Sequence, residues 1–151
     1  MANLQFGMTT KLFWASACLA LVGACAHPTT SASTPAAAAV AGDQAARGGA
    51  LFGEHCAKCH GDAGQGTKKA PPVVGAAALP LDPRPGSKRT VQFHTAKDVG
   101  VYVMKAMPGD DPGALKPDEY FAILAFDLKA NGVDVSGKTI DADVAEQIVL
   151  H

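Results

Sequence analysis

The chain has 151 residues, of which 48% are hydrophobic and 18% charged, and its formal net charge is -1. This length fits one domain, and the nearly neutral charge offers no broad cationic surface for nucleic acid. We therefore expect a single folded domain and exclude nucleic acid as a partner.

Residues 1–24 have the pattern of a bacterial signal peptide. Lys11 precedes an apolar stretch over residues 12–22, which is too short to span a bilayer comfortably. Small residues then precede Cys25, an arrangement that resembles the lipobox of bacterial lipoproteins. We expect cleavage before Cys25 and acylation of its thiol, which would tether the protein to a membrane.

Two alternatives to the lipid anchor remain open. Ordinary cleavage near Ala24 or Ala26 would give a water-soluble exported protein, and an uncleaved segment would act as an anchor. Met8 is a second candidate for the true start. With acylation, we expect a location in the periplasm or cell envelope, at the outer membrane if the host has one, because Ala26 does not match the familiar retention signal for the inner membrane.

Residues 25–42 form the predicted linker behind the lipidated cysteine. They are rich in Ala, Thr, Ser and Pro and contain no Lys, Arg, Asp or Glu. Such composition is typical of a flexible tether. A helix over the alanine run is the weaker alternative.

A helix is predicted to begin at Asp43, a residue type that caps helix N-termini. Ala45, Gly48 and Phe52 share one face of this helix. The adjacent Gly48 and Gly49 cost about 1 kcal/mol each in a helix, so we expect another backbone to cross closely there.

The helix leads into Cys56, Cys59 and His60, which form a C-x-x-C-H motif. Two thiols at this spacing can each add to one vinyl group of a haem, and the adjacent imidazole can bind the iron from below. The motif predicts one covalently attached haem c, with His60 as an axial ligand.

Three alternative roles for these cysteines remain open. A thioredoxin-like redox pair needs a βαβ context, which the flanking sequence lacks. A zinc site needs further ligands, for which His55 and His94 are the candidates in the body of the domain. A plain disulfide between Cys56 and Cys59 is the third alternative.

The second axial ligand is predicted to be Met107. Residues 73–89 show no strong periodicity and read as a loop, and residues 95–104 as a short helix that ends before Met107. Pro108 disfavours the α conformation at Met107, so its thioether can reach the open face of the iron from a loop. Met104 and His94 are the competing ligands, and an open position is the remaining alternative.

Residues 117–131 predict the last helix of the domain. Pro117 stands in its first turn, Asp118 and Glu119 suit its positive end, and Asn131 with Gly132 marks its stop. Its apolar face is the natural partner of the helix that contains Gly48. Residues 133–151 follow as a C-terminal extension, for which a short packed helix and a frayed tail are both open.

These motifs resemble the class I monohaem c-type cytochromes over residues 43–132. The resemblance rests on Gly48 and Phe52 before the C-x-x-C-H motif, Pro71 with Gly75, Met107 with Pro108, and the aromatic-rich last helix. It implies an all-α cytochrome c fold of short helices wrapped around one covalently attached haem. It also implies that the carbonyl of Pro71 accepts the Nδ1 proton of His60, with Pro72 as a near-equal match.

The expected function is electron transfer by an exported carrier that is not itself an enzyme. Residues 43–109 contain nine Lys or Arg against five Asp or Glu, whereas residues 110–151 contain three against nine. This imbalance suggests a partly acidic redox partner for the basic part. A dehydrogenase, an oxidase or another cytochrome could be that partner. The alternatives are a haem c subunit of a periplasmic dehydrogenase or oxidase complex and a haem sensor or peroxidase-like protein.

Overall fold

A computed structural model describes the backbone of residues 35–151 and the side chains of residues 44–151. The predicted signal peptide and Cys25 lie outside these described residues. Within them, the protein is all-α, as predicted, with an isolated β-bridge between Thr95 and Val149. The helices in chain order are α1 (Pro35–His55), α2 (Ala57–His60), α3 (Ala96–Ala106), α4 (Pro117–Ala130) and α5 (Ala142–Gln147).

Helix α1 begins at Pro35, so Asp43 lies inside the helix and is not its N-cap as predicted. Alanine has the highest helix propensity, and proline is well tolerated in a first turn. The alanine run therefore extends the helix into the segment that we predicted as a flexible linker.

Helices α1 and α4 cross at Gly48, as the paired glycines predicted. A Cβ atom at Gly48 would stand 1.8 Å from the carbonyl oxygen of Ala122, so only glycine permits this approach. One turn further along, the rings of Phe52 and Phe126 pack with their centroids 5.2 Å apart. The crossing fixes the direction in which α1 delivers the C-x-x-C-H motif.

Helix α3 begins with a cap that its sequence pattern did not identify, and α4 begins with the proline and the acid that were predicted. The Asp98 carboxylate accepts hydrogen bonds from the backbone N–H groups of His94 and Thr95 at the start of α3, at 3.0 and 2.8 Å. In α4, Pro117 occupies the first turn and Glu119 accepts from the backbone N–H of Lys116. These contacts satisfy backbone N–H groups at the N-terminus of each helix, so α3 begins at Ala96 and α4 begins at Pro117.

The C-terminal extension packs into the core and contains helix α5. Ile140, Ala145 and Ile148 belong to the main hydrophobic cluster. The Gln44 amide donates to the carbonyl of Ile140 and accepts from its N–H, each at 2.8 Å. The extension is thus joined to α1, as the packed-helix hypothesis required, and it is not a frayed tail.

Arg89 organises the long loop between α2 and α3. Its guanidinium is buried and donates hydrogen bonds to four backbone carbonyls, and it stacks on the ring of Phe93 at 3.8 Å from the centroid. The accepting carbonyls belong to Pro80, Leu81, Asp82 and Val91. One side chain thereby satisfies backbone groups that lack secondary structure.

None of the helices in the described part of the chain combines the length and apolar character needed to cross a membrane.

Candidate haem site

The C-x-x-C-H motif forms a tight turn at the end of α1. Backbone N–H groups of Cys59 and His60 both donate to the carbonyl of Cys56, at 3.0 and 2.9 Å. Both thiols are free and partly buried. Burial, followed by the charge of Asp127 and by Cys59, raises the pKa of Cys56 to about 12. The motif therefore places two thiols and one imidazole within a single helical turn.

The imidazole of His60 is held by the backbone of a distant loop. His60 is 8% exposed, and its Nδ1 lies 2.8 Å from the carbonyl oxygen of Pro71. A carbonyl oxygen can only accept, so Nδ1 must carry the proton and Nε2 retains its lone pair for a metal. The acceptor is Pro71, and not the neighbouring Pro72 that the sequence left as a near-equal match.

Two glycines bring the Pro71 segment against His60. The N–H of Gly66 donates to the carbonyl of His60 at 2.7 Å, and a Cβ at Gly66 would stand 2.6 Å from the Pro72 nitrogen. The carbonyl of Gly64 accepts from the N–H groups of Val73 and Val74. Both glycines have positive φ, which glycine adopts at little cost.

Asn131 fastens the same loop to the end of α4. Its amide nitrogen donates to the carbonyl of Val73 at 2.8 Å, and its amide oxygen accepts from the N–H of Gly75 at 3.0 Å. The sequence identified Asn131 only as a helix stop. Its second role depends on a contact between residues more than fifty positions apart, which no local pattern reveals.

Met107 stands directly after α3 in an extended conformation, as the following proline predicted. Its backbone is held from both sides, because its N–H donates to Val103 and its carbonyl accepts from the Tyr120 hydroxyl at 2.7 Å. Tyr120 is 4% exposed. The sequence predicted that the Tyr120 ring is part of the core, but it did not reveal the hydrogen bond from its hydroxyl to Met107.

The competing ligands lie in different surroundings. Met104 is within α3 and partly buried. His94 is exposed, and its Nε2 lies 3.1 Å from the Gln92 side chain. Among residues 44–151, no group of three or more His, Cys, Asp or Glu is arranged to hold a metal ion, which gives the zinc hypothesis no support.

Asp127 is a buried acid beside the motif that sequence reasoning did not single out. It lies on α4 with 6% exposure, and its Oδ1 has no hydrogen-bond partner within the described structure. Burial raises its pKa to about 7. The helical periodicity of α4 could have identified Asp127 as buried, because it lies on the same side of the helix as the buried residues Leu124 and Leu128.

Comparison with known proteins identifies the family to which the chain belongs. A family model described as cytochrome c oxidase, cbb3-type, subunit III, matches residues 43–126, which is more than half of the chain. The chain belongs to this family. It is therefore a c-type cytochrome, an electron-transfer protein with one covalently bound haem c.

A solved structure is also similar to this cytochrome. The crystal structure of the sulfane dehydrogenase SoxCD from Paracoccus pantotrophus contains a chain with 32% identity to this cytochrome and a TM-score of 0.52. The match covers 70% of this cytochrome and 52% of the SoxCD chain, so it spans about half the length of its relative. No curated protein sequence matches the cytochrome.

Proposed function

We propose that Cys56 and Cys59 hold the haem through thioether bonds, and that His60 and Met107 are the axial ligands of its iron. The hydrogen bond between His60 Nδ1 and the Pro71 carbonyl is the observation that carries this proposal, because it presents Nε2 as a ligand. The donor set fits a c-type haem, since two free thiols lie beside an imidazole of fixed tautomer.

The bound haem iron supplies a centre that gains and loses one electron. The chain controls the ligands of that centre. The Pro71 carbonyl keeps the proton on Nδ1 of His60 and increases the basicity of the imidazole. Tyr120 and Val103 hold the backbone of Met107, so its neutral thioether stays available as a ligand, which raises the reduction potential relative to a second imidazole.

We infer that the protein is an exported carrier and has no catalytic activity of its own. Met107 would fill the coordination position that a peroxidase-like or sensor haem protein leaves open. The electron would pass between periplasmic or membrane redox partners, such as a dehydrogenase, an oxidase or another cytochrome.

A second function is favoured by the structural match. The related chain belongs to a dehydrogenase, SoxCD, and the family description names an oxidase subunit. This cytochrome would then be the haem c subunit of a periplasmic dehydrogenase or oxidase complex. Purification of the native protein under mild conditions distinguishes the two functions, because a subunit elutes with an enzyme and a carrier elutes alone.

Covalent attachment is the first test of the haem site. The protein, produced in cells that mature c-type cytochromes, should keep its haem stain after denaturing electrophoresis, because thioethers survive unfolding. Cys56→Ala with Cys59→Ala should abolish the stain. Loss of the haem from the unaltered protein in acidic acetone would overturn the assignment.

The cellular location is proposed from the sequence pattern of residues 1–42. A lipid on Cys25 would anchor the protein, since each buried methylene adds about 0.8 kcal/mol. The unaltered protein should partition into a detergent phase, and Cys25→Ala should release or misprocess it. A water-soluble mature protein with an unmodified N-terminus would contradict the lipid anchor and leave the haem assignment intact.

A further inference from the structure

Asp127 is a buried carboxyl group that the proposed electron transfer leaves without a role. Its side chain is more than nine-tenths buried, and Oδ1 is enclosed without a hydrogen-bond donor among the described residues. Burying such a group is costly unless it is paired or protonated. The residue before it, Phe126, packs on Phe52, so this part of α4 runs beside the last turn of α1, which leads into Cys56.

The carboxyl group of Asp127 is close enough to the C-x-x-C-H motif for its charge to act on Cys56. Its charge is the second-largest cause of the raised pKa of Cys56, after burial. Because the sulfur of Cys56 would be bonded to a vinyl-derived side group of the haem, a charge that acts on this sulfur also acts on the iron. At the low effective dielectric of a protein interior, two charges influence each other over many ångströms.

The other charged side chains described on α1 to α4 either pair with another residue, cap a helix or are exposed to solvent. On α1, Arg47 pairs with Asp118, and exposed Glu54 lies 3.8 Å from His55. The motif residue Lys58 pairs with Asp110, and on α3, Lys97 pairs with Glu146. Among the described side chains, the remaining charged residues on α1 to α4, apart from Asp127 itself, are Asp98, which caps α3, Lys105, Glu119, which caps α4, and Lys129. Burial alone accounts for the raised pKa of Asp127.

We propose that Asp127 couples electron transfer in this cytochrome to the uptake and release of a proton. On reduction, the ferric iron gains one electron from the redox partner, and the Asp127 carboxylate gains one proton from solvent to become a neutral acid. On oxidation, both leave. The inference rests on the proposed haem attachment at Cys56.

The direction of the coupling follows from charge. Ferric iron carries one more positive charge than ferrous iron, so it stabilises a nearby carboxylate and lowers the proton affinity of Asp127. Reduction removes that charge and raises the affinity. A pKa close to 7 places the exchange at ordinary pH.

The test is a titration of the reduction potential between pH 5 and pH 9 on the haem-loaded full-length protein. The potential of the unaltered protein should fall as the pH rises. The limit is a tenfold change in the redox equilibrium for each pH unit, which is 59 mV for a one-electron couple. Asp127→Asn should give a potential that does not vary in this range and that matches the acid limit of the unaltered protein, because asparagine resembles the protonated acid.

Asp143→Asn is the matched control, since it removes one negative charge from an exposed position on α5. It should keep the full pH dependence. A flat potential in the unaltered protein would overturn the proposal, and so would a slope that persists in Asp127→Asn, which would assign the proton to another group, such as His55 or a haem propionate. Retained haem stain in each variant separates these outcomes from a failure of the haem site.

An infrared measurement on the unaltered protein covers the case in which Asp127→Asn does not fold. With ¹³C-labelled aspartate, the reduced-minus-oxidised difference spectrum should contain a labelled carboxylic acid band. Of the ten other aspartates, four have lowered pKa values and stay ionised at neutral pH, namely Asp98, Asp110, Asp118 and Asp134, whereas burial raises the pKa of Asp127. A spectrum without a labelled band would refute the coupling.

Discussion

The hydroxyl of Tyr120 donates a hydrogen bond of 2.7 Å to the carbonyl oxygen of Met107. The contact joins the first turn of α4 to the residue that follows α3. It therefore ties the proposed distal ligand to the helix that also crosses α1. The same carbonyl accepts from the N–H of Gly113 at a longer 3.3 Å, so the hydroxyl makes the shorter of its two bonds.

Tyr120→Phe should loosen Met107 without emptying the core. Loss of one buried hydrogen bond costs about 1 kcal/mol, which corresponds to about a fivefold change in an equilibrium. Added imidazole should therefore displace Met107 from the iron about five times more readily in a spectroscopic titration. Tyr102→Phe is the control, because the Tyr102 ring packs against Phe93 in the core cluster and not against Met107. Equal imidazole affinity in the two variants would refute the positioning role of Tyr120.

Met107→Ala should remove the weak near-infrared band that a sulfur-to-iron bond gives in the oxidised protein. Met104→Ala should retain the band, because Met104 lies within α3 and would fill core space there. His94→Ala should also retain it, since His94 is exposed beside Gln92. If the band is lost in Met104→Ala and kept in Met107→Ala, the axial ligand must be reassigned.

Gly48→Ala should destabilise the protein severely. Its Cβ would stand 1.8 Å from the Ala122 carbonyl oxygen, and a backbone cannot yield as a side-chain tip can. We expect a loss of about 3 kcal/mol or more in the free energy of unfolding, measured by denaturant titration of the haem protein.

Gly53→Ala is the matched control on the same helix. Gly53 is exposed, and a Cβ there would meet nothing within 4 Å. Alanine should therefore stabilise α1 by roughly 0.5 to 1 kcal/mol, because it restricts the unfolded chain. Similar losses in both variants would mean that helix propensity, and not the crossing, determines the role of Gly48.

Much of this fold could be predicted because its signals are local. The end of α3 follows from Pro108, and the boundaries of α4 follow from a first-turn proline with acids and a terminal Asn-Gly. The close crossing at Gly48 follows from the cost of adjacent glycines. The start of α1 was misplaced because low sequence complexity outweighed the helix propensity of alanine.

The contacts that were missed join segments far apart in the sequence. The Tyr120 hydroxyl bonds to Met107 although its ring packs in the core, and the Asn131 amide bonds to Val73 although the residue also ends α4. A helical pattern does not show which distant group such a polar atom contacts. Arginine is a residue type that usually lies at the surface, but Arg89 is buried and its guanidinium donates to four backbone carbonyls. These positions depend on tertiary structure, so a one-dimensional pattern could not assign them.

The cap of α3 predicts how stability should respond to acid. Hydrogen bonds from Thr95 and from His94 hold the pKa of Asp98 below its ordinary value, although burial partly counters them. A depressed pKa means that the ionised carboxylate stabilises the fold above the pKa of the unfolded chain, about 3.9, and that this contribution is lost as the pH falls through the folded value. Asp98→Ala should therefore cost about 1 kcal/mol at pH 7, as cap removal commonly does.

The cost of Asp98→Ala should shrink as the pH falls below about 4, because the carboxyl of the unfolded chain then binds a proton first and the folded cap loses its charge only at lower pH. Denaturant titrations at pH 7 and pH 3 measure the two differences directly. Asp111→Ala serves as the control, because Asp111 is exposed in the loop before α4. A cost of Asp98→Ala that stayed the same at both pH values would show that the side chain stabilises α3 by packing, and not through the ionised carboxylate that accepts from Thr95 and His94.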